Sequence, residues 1–182
     1  MAKGWEREHA WSRRFLPEMK RIIGEHLIVE APVEEDEQRN TDLVVLRLDA
    51  VRVACRVRQF HYLARYGDEF TIRAGRQNGN ETELQKVIAG WGHYILYAFA
   101  DERDERLAAW ILGDLNKFRT YWSMRLVLDK GRLPGFEKHN GDGSSSFRSF
   151  KVAALPSSFV VARKRYAPLR IAEPPGAYGG AA

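Results

Sequence analysis

The run TDLVVLRLDAVRVACRVRQF, residues 41–60, limits the fold more than any other part of the chain. Its apolar side chains alternate as they do in a half-buried strand, where successive residues point to opposite faces. Residues 42–48 and 51–60 therefore read as two adjacent antiparallel strands joined by a short turn around Asp49, although neither Asn-Gly nor Asp-Gly marks that turn. Arg56 and Arg58 stand two apart in the second strand and so share a face. Side by side on a half-buried sheet they repel each other unless acids or an anion neutralise them. Arginine's planar fork suits pairing with a carboxylate, here Asp36, Asp42 or Glu69. A nucleic-acid phosphate facing the same two residues is the functional alternative.

Around this pair the periodicities set an order of elements. WEREHAWSRRFLPEMKRIIGEHL carries Trp11, Phe15, Met19, Ile22 and Ile23 as a helical stripe. Pro17 falls inside it and either kinks the helix or starts its second half. LIVEAP is a short strand, and the acidic EEDEQRN that follows is a loop. GDEFTIRAG is a further strand; Asn80 then caps a helix over ETELQKVIAG, with Glu83 in capping-box position. HYILYAF and LAAWILG are strands without a charge in their bodies. Asp114 caps a helix in which Leu115, Phe118, Trp122 and Leu126 keep helical spacing. A long polar loop, KGRLPGFEKHNGDGSSSF, leads to two late strands, SFKVAAL and SFVVA. The pattern predicts an α+β or mixed α/β fold, a single central mixed sheet flanked by helices. It forms one domain over residues 1–170, with a disordered tail over 171–182.

Charge is unevenly spread. The whole chain of 182 residues is +5, yet residues 115–170 hold twelve basic against three acidic side chains, net +9. That third is either a footprint for phosphates or a solvated basic face. Lys117, Arg119, Tyr121 and Arg125 on the predicted helix, and Arg163, Lys164 and Arg165 near the end of that third, are the candidate nucleic-acid contacts. Phe118 and Trp122 lie on the helical stripe and read as core, whereas Tyr121 lies off it. Cys55 is the sole cysteine, which excludes an intrachain disulfide, and its apolar surroundings make it a small core residue. No signal-like or membrane-spanning stretch occurs, so the expected location is the cytoplasm.

The histidines are scattered, Ser144–Ser146 lack a nucleophile-elbow motif, and no phosphate-binding glycine loop is present. What remains is the acidic loop and the hairpin. Thr41-Asp42 opens one strand and Arg56-Val57-Arg58 lies 14 residues on in the next. Over roughly residues 1–128 this arrangement resembles the PD-(D/E)XK nuclease superfamily, with Asp42 where the family has its Pro-Asp acid and Arg56-Val57-Arg58 where it has Glu-x-Lys. The resemblance implies a restriction-endonuclease-like core and Mg²⁺ held by two acids. Arg56 departs from it by putting a cation where a metal-binding carboxylate belongs. Two arrangements keep a metal site: Arg58 in the lysine's place with Glu83 supplying a carboxylate, or Asp36 and Asp42 holding Mg²⁺ from the loop side. A capping box is the better account of Glu83, and a solvated acidic loop is the better account of Asp36. The expected function is therefore a Mg²⁺-dependent nuclease using Asp42, Asp36, Arg56, Arg58 and Glu83. The alternative is a non-catalytic accessory module of phage type that binds nucleic acid, DNA before RNA, or a protein partner.

Overall fold

The computed structural model describes residues 4–30, 43–45, 51–76, 79–141 and 143–166. Two helices open the chain, α1 (Gly4–Ser12) and α2 (Leu16–Leu27), separated by a 3-10 turn at Arg13–Phe15. Pro17 sits in the first turn of α2, where its missing N–H costs no helical bond. Strands β1 (Ile28–Glu30) and β2 (Leu43–Val45) pair with each other antiparallel. Then come β3 (Val53–Arg58), the short helix α3 (Leu63–Tyr66), β4 (Glu69–Arg76) and α4 (Glu83–Ile88). The second half runs β5 (Tyr94–Ala100), β6 (Leu107–Asp114), α5 (Leu115–Leu128), β7 (Phe136–His139), β8 (Ser145–Lys151) and β9 (Val160–Lys164).

The fold is mixed α+β, with a mixed sheet flanked by helices. That sheet has the order β3-β5-β6-β9, with β3 parallel to β5 and the other pairs antiparallel. The predicted 42–48/51–60 hairpin is not found among the described residues. Among the described residues β2 pairs with β1, and β3 pairs with β5, setting Arg56 opposite Tyr97. Alternation fixed each strand and its faces but not its partner, and the connecting sequence lacked a tight-turn signal to enforce a hairpin. Not every strand joins this sheet either: β4, β8 and β7 form a second, antiparallel one. β7 lies inside the stretch read as a polar loop. It pairs by backbone bonds to β8 while Phe136, Glu137 and His139 stay exposed, so no apolar alternation announced it.

Both faces of β5 are covered, which explains its freedom from charge. Ile95, Tyr97 and Phe99 enter a core shared with Phe70 and Ile72 of β4, Phe118 and Trp122 of α5, and Phe150 of β8. Leu96, Ala98 and Ala100 enter another, shared with Phe15, Met19 and Ile22 of the N-terminal helices. Aromatic rings knit the first core: Phe70 meets Tyr97 and Phe118 edge-on, at centroid separations of 5.7 and 5.5 Å. The N-terminal helices are fastened to the acidic β5–β6 turn, where Trp11 Nε1 donates to Asp104 (2.9 Å) and the Leu107 N–H donates to Glu18 (2.8 Å).

Gly113 of β6 lies buried against the ring of Phe159, and a Cβ there would meet ring carbon Cε2 at 2.7 Å. Gly113→Ala overpacks this contact and is expected to cost about 1–3 kcal/mol. The loss should appear as a lower midpoint in chemical denaturation at unchanged slope.

Candidate nucleic-acid interface

The site begins with the face of β3 that carries Ala54 into the first core. Two and four residues on, the same face carries Arg56 and Arg58, half-buried at the edge of the central sheet. What Arg56 meets is decided by how α4 starts. Thr82 is the N-cap: its hydroxyl accepts from the Gln85 N–H (3.2 Å), and Gln85 Oε1 accepts from the Thr82 N–H (2.7 Å). That reciprocal box replaces the expected one, in which Asn80 capped the helix and Glu83 reached back. Glu83 is thereby left in the first helical position with its carboxylate free to turn toward β3. Its Oε2 accepts from Arg56 Nη1 at 3.1 Å and from the Arg73 backbone N–H at 3.2 Å. The acid that neutralises Arg56 is thus Glu83.

Arg58 is held differently. Its Nη1 lies 3.3 Å from the Tyr97 hydroxyl and 3.4 Å from Thr71 Oγ1, two buried groups that are themselves 2.7 Å apart. Its guanidinium stacks over Tyr62, 4.2 Å from the ring centroid. Among the described residues no carboxylate is within ion-pair distance of Arg58. Glu69, expected as a partner, is occupied: it accepts from Lys138 Nζ at 2.6 Å and from the Ser149 hydroxyl. Burial alone would raise the Glu69 pKa, but these two bonds and the charges of Lys138 and Lys151 outweigh it and hold the carboxyl below its usual range.

Arg56 and Arg58 line an open groove of about 1150 Å³ walled by α1, β3, β4 and α4. Its other cations are Arg52, Arg73, Arg76 and Lys86, against the acids Glu8, Glu81 and Glu83. The described lining therefore holds six cationic side chains and three carboxylates. Arg73 registers the excess. Partial burial, then the neighbouring Arg56 and Arg76, pull its pKa below the ordinary arginine value, opposed by Glu83 and Glu8. Sequence reading missed Arg73, Arg76 and Tyr62. The sole signal for the two arginines was that FTIRAGR, like ACRVR, ends an apolar strand in arginines, and Tyr62 had none.

The basic C-terminal third is not one surface. The Arg119 guanidinium donates to the carbonyls of Val87 and Gly92 and to Asn116 Oδ1. Arg125 pairs with Asp129 at 2.8 Å one turn on. Buried Arg148 is spent on the carbonyls of Leu133, Pro134 and Gly135. Tyr121 is half-buried and packs against the first core, while Lys117 is exposed. Arg163, Lys164 and Arg165 are exposed but line a separate cavity, with Lys164 Nζ donating to the Leu107 carbonyl. Cys55, expected in the core, is exposed on β3, because its face of this edge strand is not fully covered. Surrounding protein nevertheless desolvates the thiol and raises its pKa, so it is no activated thiolate.

Asp36 and Asp42, the expected Mg²⁺ ligands, lie outside the described residues, as do the Asp49 turn and the 171–182 tail. Among the described residues no group of three or more His, Cys, Asp or Glu side chains could hold a metal ion. Glu83, the one carboxylate at the expected position, is bracketed by Arg56 and Arg73. A divalent ion about 4–5 Å from a fixed cation is opposed by several kcal/mol even at an effective dielectric near 20. The described residues of this groove do not fit Mg²⁺. Comparison with protein-family models, curated proteins and solved structures finds no match to this chain.

The Arg56 and Glu83 side chains are 29% and 31% exposed, and Glu83 keeps the Arg73 N–H when Arg56 is removed. Arg56→Ala should therefore cost about 1 kcal/mol, well short of the roughly 3–5 of a fully buried pair. Thermal or chemical denaturation measures the difference. For Glu69 the folded pKa lies below the unfolded one. Its stabilisation is complete above the unfolded value of about 4.3 and is lost as pH falls through the lower folded value. Glu69→Gln should flatten the acid limb of a stability–pH profile, and an unchanged limb would contradict the assignment.

Proposed function

We propose that this protein binds nucleic acid through backbone phosphates laid along the β3–β4–α4 groove, as a non-catalytic module. The observation that carries the reading is the excess of groove cations over acids, with Arg56 and Arg58 already positioned before any ligand arrives. A phosphate entering there relieves the mutual repulsion of Arg73, Arg56 and Arg76 and meets guanidinium forks suited to its geometry. The PD-(D/E)XK likeness supports the same ligand class, while Arg56 and Glu83 argue against that superfamily's metal chemistry. The reading places the protein in the cytoplasm with accessible DNA. No helix among the described residues is long and apolar enough to cross a membrane.

Titration of labelled duplex and single-stranded DNA and RNA between low and physiological salt tests this. About four to five phosphate contacts give a log–log slope near −4 on duplex DNA. Arg58→Gln and Arg73→Gln should each reduce the slope by about 1 and weaken all sequences alike. A paired Arg163→Gln and Arg165→Gln variant should bind as the parent does. No binding at low salt sinks the proposal in favour of a protein-binding module. Mg²⁺-dependent cleavage in the same samples would overturn its non-catalytic part and return Asp42 and Asp36 to the role of ligands.

A further inference from the structure

At the end of the groove stands Trp91, whose side chain is 61% exposed, the most exposed tryptophan among those described. Its backbone, by contrast, is tightly fixed. Helix α4 ends in two overlapping bonds, from the Gly90 N–H to the Val87 carbonyl (3.1 Å) and from the Trp91 N–H to the Lys86 carbonyl (3.0 Å). This is a Schellman ending, and it uses Gly90 at φ +100°, a conformation that costs glycine little. Gly92 follows at φ +79°, and the Arg119 guanidinium clamps the carbonyls of Val87 and Gly92 on either side of the loop. The next residue, His93, donates its N–H to the Arg52 carbonyl (2.8 Å) and accepts the Arg52 N–H at Nδ1 (3.0 Å). The Arg52 guanidinium lies 5.8 Å from the centroid of the indole ring. A large aromatic side chain is thus held in water by a loop pinned at both ends, next to a row of cations. Packing does not require that arrangement, whereas a flat ligand surface uses it directly.

We infer that Trp91 is a stacking platform for an unpaired base, and that the groove selects single-stranded over duplex nucleic acid. The inference rests on the phosphate-binding reading of the groove and adds the form of the strand. A base offers its π-face to a side chain only when it is unstacked from its neighbours, and a cationic groove flanked by exposed aromatics tracks a single strand without reading its sequence. Arg58 and Arg73 hold the phosphates, Trp91 holds a base, and Arg119 is a positioning residue that fixes the loop.

The test compares the full chain with Trp91→Ala, Trp91→Phe and Arg73→Gln variants, each checked for an unchanged melting curve. Fluorescence anisotropy at one fixed low salt reads binding to a labelled 12-nucleotide DNA strand, an RNA strand of the same sequence, and the 12-base-pair DNA duplex. Trp91→Ala should weaken single-strand binding by about 5- to 150-fold, the worth of one stacked base, and leave duplex binding within about twofold. Trp91→Phe should recover most of the loss. Arg73→Gln should weaken both forms together. If Trp91→Ala leaves single-strand affinity intact while Arg73→Gln lowers it, the platform is wrong and the phosphate groove stands. Equal losses on strand and duplex also overturn the platform. If the unaltered protein binds none of the three, the groove reading itself has failed.

Discussion

Everything else in the architecture follows from covering β5 on both sides. A strand reading YILYAFA has no polar face to give to water, so it must lie between two apolar layers. The N-terminal helices supply one layer and the β4–β8–β7 sheet with α5 supplies the other. The parallel β3 and antiparallel β6 close its two hydrogen-bonding edges. Once β5 is central, β3 becomes an edge strand among the described residues, and only its first half reaches beneath both layers. The arginines occupy the second half, where the face is half open. The cationic groove is thus a by-product of where the core stops.

That boundary also explains how differently the two arginines are treated. Arg56 faces the start of α4 and finds a carboxylate that a neighbouring capping box leaves unused. Arg58 lies deeper against Tyr97 and Thr71, where hydroxyl dipoles and the Tyr62 ring stabilise its charge without cancelling it. A neutralised cation and an uncancelled one, two residues apart, give the groove both rigidity and field.

Element type was largely legible in the sequence, and partnership was not. The stripe Phe15–Met19–Ile22 gave the N-terminal helices, Asp114 gave the start of α5 by accepting the Asn116 and Lys117 N–H groups, and the charge-free runs gave β5 and β6. Those signals are local, and one face of one element decides them. Which strand β3 joins depends on loop closure and on the needs of β5, and alternation carries no information about either. The same limit applies to the site. Arg56 and Arg58 drew attention because a charged pair on a strand conflicts with burial, but Arg73 and Trp91 conflict with nothing local. Basic density misled for a related reason. Arg119, Arg125 and Arg148 in the C-terminal third satisfy carbonyls and an acid within the fold, a use that composition cannot distinguish from a binding surface.

The Arg56–Glu83 pair constrains what descendants of this chain can become. Changing the sign of either partner alone leaves like charges about 3 Å apart, an arrangement that repels strongly at a half-buried position. Direct reversal toward a carboxylate pair would need a resident cation at that moment, whereas a neutral residue at position 56 leaves Glu83 on the Arg73 N–H and avoids the clash. The pair is mild in its contribution to stability, yet it opposes direct charge reversal at either position.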